Sequence, residues 1–419
     1  MAYRASTISR LSVGVVTCVL CLTVGVATVY AVPQRTRPQT HFLSWESARV
    51  SAKYKYGTAV QRPAHEYEVS SHKVTRLKRP SFFDKRPAQF STPVVVDHTL
   101  YIGSSAGYFY SVDVAKDRTL WMKKTSGGIE SPAAVDETAA YVGDIKGTMY
   151  AFNRTNGEIV WRTHLGGEML GQPLVVGPRL YVATIDGRLF ALERSSGTEL
   201  WHTDTMERQT GFTVRRQSSP IYYNGMIIFG TSQGTLVAYR EDGARVWTRL
   251  LGNPQAQVMD VDSRPVLMND RLYASSADGM LFCIDPKSGA PVWSVPAGGA
   301  NDVLYDEGKI FASGSGTLSR IDPDSGEIAW EQNFETAEIS SPVAGNGYLA
   351  VVSTNEKIYL VDKDTGDMLY ERYIRRGSYG DPIVEGDTIY VLSNSSRLFS
   401  FQVKEKETKE KKVNKKQRS

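Results

Sequence analysis

From residue 93 onward the hydrophobic positions fall into short clusters separated by polar turns, and the clusters recur in groups of four. An apolar stretch follows a proline. After it come a second strand such as RLYVATIDG, a third such as RLFALE, a turn such as RSSG, and a strand ending on an aromatic. The groups start at Pro93, Pro132, Pro173, Pro220, Pro265, Pro342 and Pro382, with Asp302 in the remaining slot, 37 to 47 residues apart. They end at Trp121, Trp161, Trp201, Trp247, Trp293, Trp330 and Tyr370, so six of the seven tryptophans mark the repeat. The turn before the last strand recurs as NRTNGEIVW, DPKSGAPVW, DPDSGEIAW and DKDTGDMLY. There Gly supplies a positive φ, and Asp285, Asp322 and Asp362 act as turn formers rather than as an acid–base set.

A four-stranded sheet of ~40 residues cannot cover both its faces, so neighbouring sheets must pack face to face around an axis. The pattern predicts an all-β chain: an eight-bladed β-propeller of four-stranded antiparallel blades. The eighth group runs out of chain after three strands, and the stretch from His65 to Lys78 is placed to supply the fourth. The ring is therefore expected to close with an N-terminal strand.

Composition agrees with a large folded body: 419 residues, 41% hydrophobic and 22% charged. The net charge of +4 argues against an overall nucleic-acid-binding polyelectrolyte, but it is unevenly distributed. Residues 91–403 carry 27 basic and 38 acidic residues, a net −11, between basic flanks. Arg4 and Arg10 precede an uncharged run from Leu11 to Val32, long enough to span a bilayer and preceded by charge that keeps the N-terminus cytoplasmic. The expected organisation is a signal peptide or membrane anchor over 1–32, a basic linker over 33–64, the propeller over 65–403 and a disordered Lys-rich tail over 404–419. Cys18 and Cys21 lie in the hydrophobic run, which leaves Cys283 as the one thiol of the folded body and a small buried residue.

Departures from the repeat carry the functional signal. From terminal aromatic to next start the connectors span 11, 12, 19, 18, 9, 12 and 12 positions. The two long ones flank the fourth blade, on the face where all the connectors lie. One carries Phe212, Val214, Arg215 and Arg216, the other Leu250, Leu251, Met259, Asp260 and Asp262. Apolar anchors mixed with Arg suit a protein interface, so Phe212, Val214, Arg215, Arg216, Asp260 and Asp262 are the candidate protein-binding residues. The structural alternative folds Phe212 and Val214 onto the blade tops and pairs Arg215 with Asp260 or Asp262.

The blade pattern resembles the pyrroloquinoline-quinone-type propeller repeat over residues 91–403. The strings FTVRRQSSP, DVDSRPVL and GGANDVLYDEGKIF resemble the BamB family of outer-membrane β-barrel assembly factors. That resemblance implies a non-enzymatic scaffold on the periplasmic side of a cell envelope, a monomer within a hetero-complex. It binds a POTRA domain of a BamA-like subunit: Phe212, Val214 and Arg215 match the hydrophobic-x-hydrophobic-Arg loop, and Asp260 and Asp262 the Asp-x-Asp loop. Family members become lipoproteins through a Leu-Ala-Gly-Cys-like box. VVTC at Cys18 departs from it, so the hydrophobic run itself, retained or cleaved, is the expected membrane signal, with an inner-membrane tether as the alternative to the outer membrane. The enzymatic alternative, a quinone-dependent oxidoreductase or sensor, shares the blade pattern but would need an adjacent cysteine pair that this sequence lacks; a third reading is a membrane-tethered propeller with some other protein ligand. The six histidines show no metal-ligand spacing, and neither cofactor nor nucleic acid is expected.

Overall fold

The computed structural model describes residues 66–77, 90–116, 118–204, 216–335, 338–374 and 376–406. Within them thirty-two strands form eight antiparallel sheets of four, arranged as the blades of a ring. The second blade is typical: β6 (Ala134–Val135), β7 (Ala139–Gly143), β8 (Thr148–Asn153) and β9 (Ile159–His164) lie side by side in chain order. Its two middle strands are buried on both faces and read as continuous apolar runs. The outer strand alternates, with Trp161 turned inward.

The eighth blade closes the ring as the sequence predicts. Its three C-terminal strands, β30 (Ile383–Glu385), β31 (Thr388–Ser393) and β32 (Arg397–Glu405), are joined at the outer edge by β1 (Tyr67–Arg76), antiparallel to β32 with a bulge between Ser71 and Lys73. Strand β32 runs on through Lys404 and Glu405, which pair with Glu68 and Tyr67. One slot of the repeat moves by a residue: β22 (Leu304–Asp306) begins just after Val303, as β18 (Val266–Met268) begins just after Pro265. Val303 therefore stands in the proline position, and Asp302 corresponds to the residue before each proline.

Burial is divided among eight wedges, one between each pair of neighbouring blades, rather than gathered in one core. The wedge between blades two and three, for example, joins Tyr141, Met149 and Trp161 to Leu180, Val182 and Phe190. At the rim each wedge is shut by a latch that explains the two strongest sequence markers together. The indole N–H of Trp121 donates to the carbonyl of Arg154 in the next blade's turn, and Trp161, Trp201, Trp247, Trp293 and Trp330 repeat the bond at 2.9–3.2 Å to Arg194, Glu241, Pro286, Pro323 and Lys363. The ring of each Trp lies against the glycine of that same turn. A Cβ on Gly157, where φ is +70°, would stand 2.5 Å from the Trp121 ring. The glycine is thus demanded twice, by its backbone conformation and by the indole above it.

The exceptions follow the same logic. Tyr370 is the one terminal aromatic without an indole N–H, and it precedes the closing blade, where the chain break removes the turn that would offer a carbonyl. Strand β1 carries no Trp, and Asp117, which takes the turn-glycine position in the first repeat, lies outside the described residues. Cys283 is buried between Tyr273 and Trp293, and burial pushes its thiol up. Asp285 and Asp322 each accept two backbone N–H bonds within their turns, which holds both carboxyls below their ordinary value. Asp362 accepts the equivalent pair. Among the described residues no helix is long and apolar enough to cross a membrane; the run from Leu11 to Val32 lies outside them.

Candidate functional site

Where the connectors enter the innermost strands, polar residues stitch neighbouring blades together. At five junctions the residue before the proline slot donates its backbone N–H to the side chain at the same position in the next blade. Gln172 N bonds Ser219 Oγ at 2.9 Å, Arg264 N bonds Asp302 Oδ1 at 2.6 Å, and Asp302 N bonds Ser341 Oγ at 3.0 Å. Ser341 N then bonds Asp381 Oδ1 at 2.8 Å, and Asp381 N bonds Thr92 Oγ1 at 3.1 Å, carrying the belt across the junction of the first and eighth blades. A second row lies beside it. Ser91 Oγ donates to the Ser131 carbonyl, Ser218 Oγ to that of Ser263, and Asn301 Nδ2 to that of Ile339. A buried backbone group left unpaired costs about 1–3 kcal/mol, so these short side chains stabilise the strand starts that they serve.

The belt encloses a central cavity of about 430 Å³ to which every connector contributes. Its acidic lining is Glu130, Asp262, Asp302, Glu338 and Asp381; Arg216 is the basic residue among the described lining positions. Arg216 Nη2 lies 3.7 Å from Asp381 Oδ1. Burial pushes the Asp262 carboxyl well above its ordinary value, the adjacent Asp260 adds to the shift, and the charge of Arg216 opposes it. Asp302 is raised too, first by loss of water and then by Asp381, against the Arg264 N–H bond and the charges of Arg216 and Arg264. Among the described residues, the cavity wall includes Asp262 Oδ2 and Gln217 Nε2, buried and without a hydrogen-bond partner. Among the described residues no group of three or more His, Cys, Asp or Glu side chains is placed to hold a metal ion.

The sequence-predicted residues divide. Phe212, Val214 and Arg215 lie outside the described residues. Arg216 is on the cavity wall beside Gln217, whose Oε1 accepts from the N–H groups of Leu170 and Gly171. Asp260 and Asp262 are 1% and 4% exposed, so the carboxylates themselves are inside the connector and not on its outer surface. The reason is the residue between them. Val261 is fully buried, and the backbone around it is pinned to two blades, Val261 N to Thr231 O at 3.0 Å and Ala277 N to Asp260 O at 2.7 Å. The exposed part of this connector is Asn253, Pro254, Gln255 and Gln257, with Arg264 at its end. Leu250 is exposed but belongs to the outer strand β17 (Arg245–Leu250), while Leu251 is buried. The two long connectors meet as expected: Arg216 and Asp262 share the cavity, and Ser218 Oγ bonds the Ser263 carbonyl at 2.8 Å. Sequence reasoning missed the belt and with it Asp302 and Asp381. Their shared position before the proline slot was the available signal.

Comparison with known proteins places the chain. An outer membrane protein assembly factor BamB from Yersinia pestis is 27% identical over 198 residues, 45% of this chain and 50% of that protein. The one from Vibrio cholerae is 30% identical over 105 residues, 24% and 27% of the respective lengths. The matches thus span about half the length of such relatives or less. The crystal structure of BamB from Moraxella catarrhalis superposes with a TM-score of 0.69 at 20% identity, over 80% of this chain and 100% of that one. A quinohemoprotein alcohol dehydrogenase from Comamonas testosteroni gives 0.64 at 12% identity, over 80% and 76%. At such identities likeness of structure establishes the shared fold alone. The family model described as outer membrane protein assembly factor BamB matches residues 105–332 and 314–409, nearly the whole ring, and on that match the chain belongs to the BamB family.

Proposed function

We propose that this protein is a non-enzymatic scaffold of the cell envelope that assists insertion of β-barrel proteins into the outer membrane. It does so by docking a POTRA-bearing, BamA-like partner on the connector face. The observation that carries the reading is the convergence of the two long connectors beside the fourth blade, in a chain of the BamB family. In this arrangement Phe212, Val214 and Arg215 supply the contact, Arg216 anchors the base of their connector, and Asp260 and Asp262 act from inside by shaping the second connector. The segment 1–32 delivers the ring across the inner membrane and tethers it or is removed.

The test is co-purification from native envelope. Wild type is expected to recover a POTRA-bearing protein, Arg215→Glu to lose most of it, and Asp262→Arg to lose it through collapse of the second connector. Absence of such a partner with wild type, or full recovery with both variants, would overturn the proposal.

A further inference from the structure

At five junctions the belt uses a hydrogen-bond acceptor at the position before the proline slot, and a hydroxyl is enough. Ser219, Ser341 and Thr92 meet the need with one oxygen and no charge. Asp302 and Asp381 meet it with Oδ1 alone, so each brings a second oxygen and a negative charge that the belt does not use. Both face the central cavity, together with Asp262, which is buried and has an unpartnered Oδ2. Arg216, near Asp381, offsets one of these charges. The same cavity presents a flat aromatic wall: Phe90 and Tyr379 are stacked with centroids 4.9 Å apart and planes at 25°, and Tyr379 is 41% exposed.

Surplus carboxylates on several connectors around one space, beside an open aromatic face, fit a planar cation with many donors. A guanidinium bonds carboxylates in pairs and stacks on rings; an ammonium uses the charge but not the plane. We infer that the central cavity is a receptor for a guanidinium group, carried either by a small molecule or by an arginine side chain of a docked protein. The site does not depend on the scaffold function proposed above. Only the second source does, since a partner on the connector face would lie over the cavity mouth.

The experiment is calorimetric titration of the full-length protein at pH 7.5 with agmatine, its urea analogue, putrescine, and the blocked tripeptide Gly-Arg-Gly. Agmatine is expected to bind saturably, and putrescine and the urea analogue, which keeps the ammonium but replaces the guanidinium by a neutral ureido group, at least about tenfold more weakly. Asp302→Ser and Asp381→Ser keep the hydroxyl that the belt uses elsewhere, so both variants should melt with wild type yet bind agmatine at least about tenfold more weakly. Tyr379→Leu should weaken agmatine more than putrescine. Tighter binding of the tripeptide than of agmatine identifies a protein-borne arginine; the reverse order identifies a small molecule. No agmatine binding, equal binding of the urea analogue, or wild-type affinity in both serine variants would sink the inference. Loss of the POTRA partner with agmatine binding intact would sink the scaffold reading alone.

Discussion

The rim and the hub of the ring solve the same problem, joining one blade to the next, by opposite means. At the rim six junctions use one device, an indole bonded to a turn carbonyl over a glycine. At the hub the junctions use Ser, Thr, Asp or Asn as available. The rim device is a shape match of one indole to one glycine turn. The hub needs only a hydrogen-bonding group of the right reach, so its residues are free to carry other chemistry as well. Repetition therefore marks where the fold is held, and variation marks where a partner or ligand can be met.

The largest effect expected from this contrast is at the rim. Trp161→Ala should cost about 3–5 kcal/mol in denaturant unfolding by emptying a wedge, whereas Trp161→Phe, which keeps most of the volume, should lose far less. Gly157→Ala should cost about 2 kcal/mol, because it strains a positive φ and drives a methyl into the Trp121 ring. A hub-like tolerance at either position would break the comparison.

At the hub the sign reverses for Asp262. Its carboxyl is raised in the folded protein, so the stability it contributes is present below the ordinary carboxylate range and is lost as pH rises through the raised value. Asp262→Asn removes the charge that burial penalises. It should raise the melting midpoint at pH 7.5 by a few degrees, with the gain shrinking toward pH 4, while weakening agmatine binding. Melting curves at both pH values check this; a variant less stable than wild type at pH 7.5 contradicts it. The smallest change is expected for Tyr370→Trp, within about 0.5 kcal/mol of wild type, because the closing blade offers no turn to latch. A gain of the size of a full latch would show that the junction is built differently.

Much of the ring could be read in advance because each blade is a local unit with local punctuation. Proline, turn glycine and terminal tryptophan lie within one repeat of each other, and the missing eighth outer strand is a simple deficit of chain. The site was only partly legible. Connector length located the long loops correctly, but Asp260 and Asp262 read as interface residues by composition although the valine between them draws both inside. Asp302 stood in the proline slot by spacing, while the strand start moves it one place back into the belt.

What the chain determined by itself was the blade, its count and its closure, since these follow from hydrophobic periodicity and turn chemistry over some forty residues at a time. What only the folded ring decided was which polar residues meet at the hub: Asp381 and Thr92 bond across 289 positions of sequence. No local pattern encodes such a meeting. It arises because eight wedges close around an axis and bring every connector to one place, where burial then raises the carboxyls of Asp262 and Asp302.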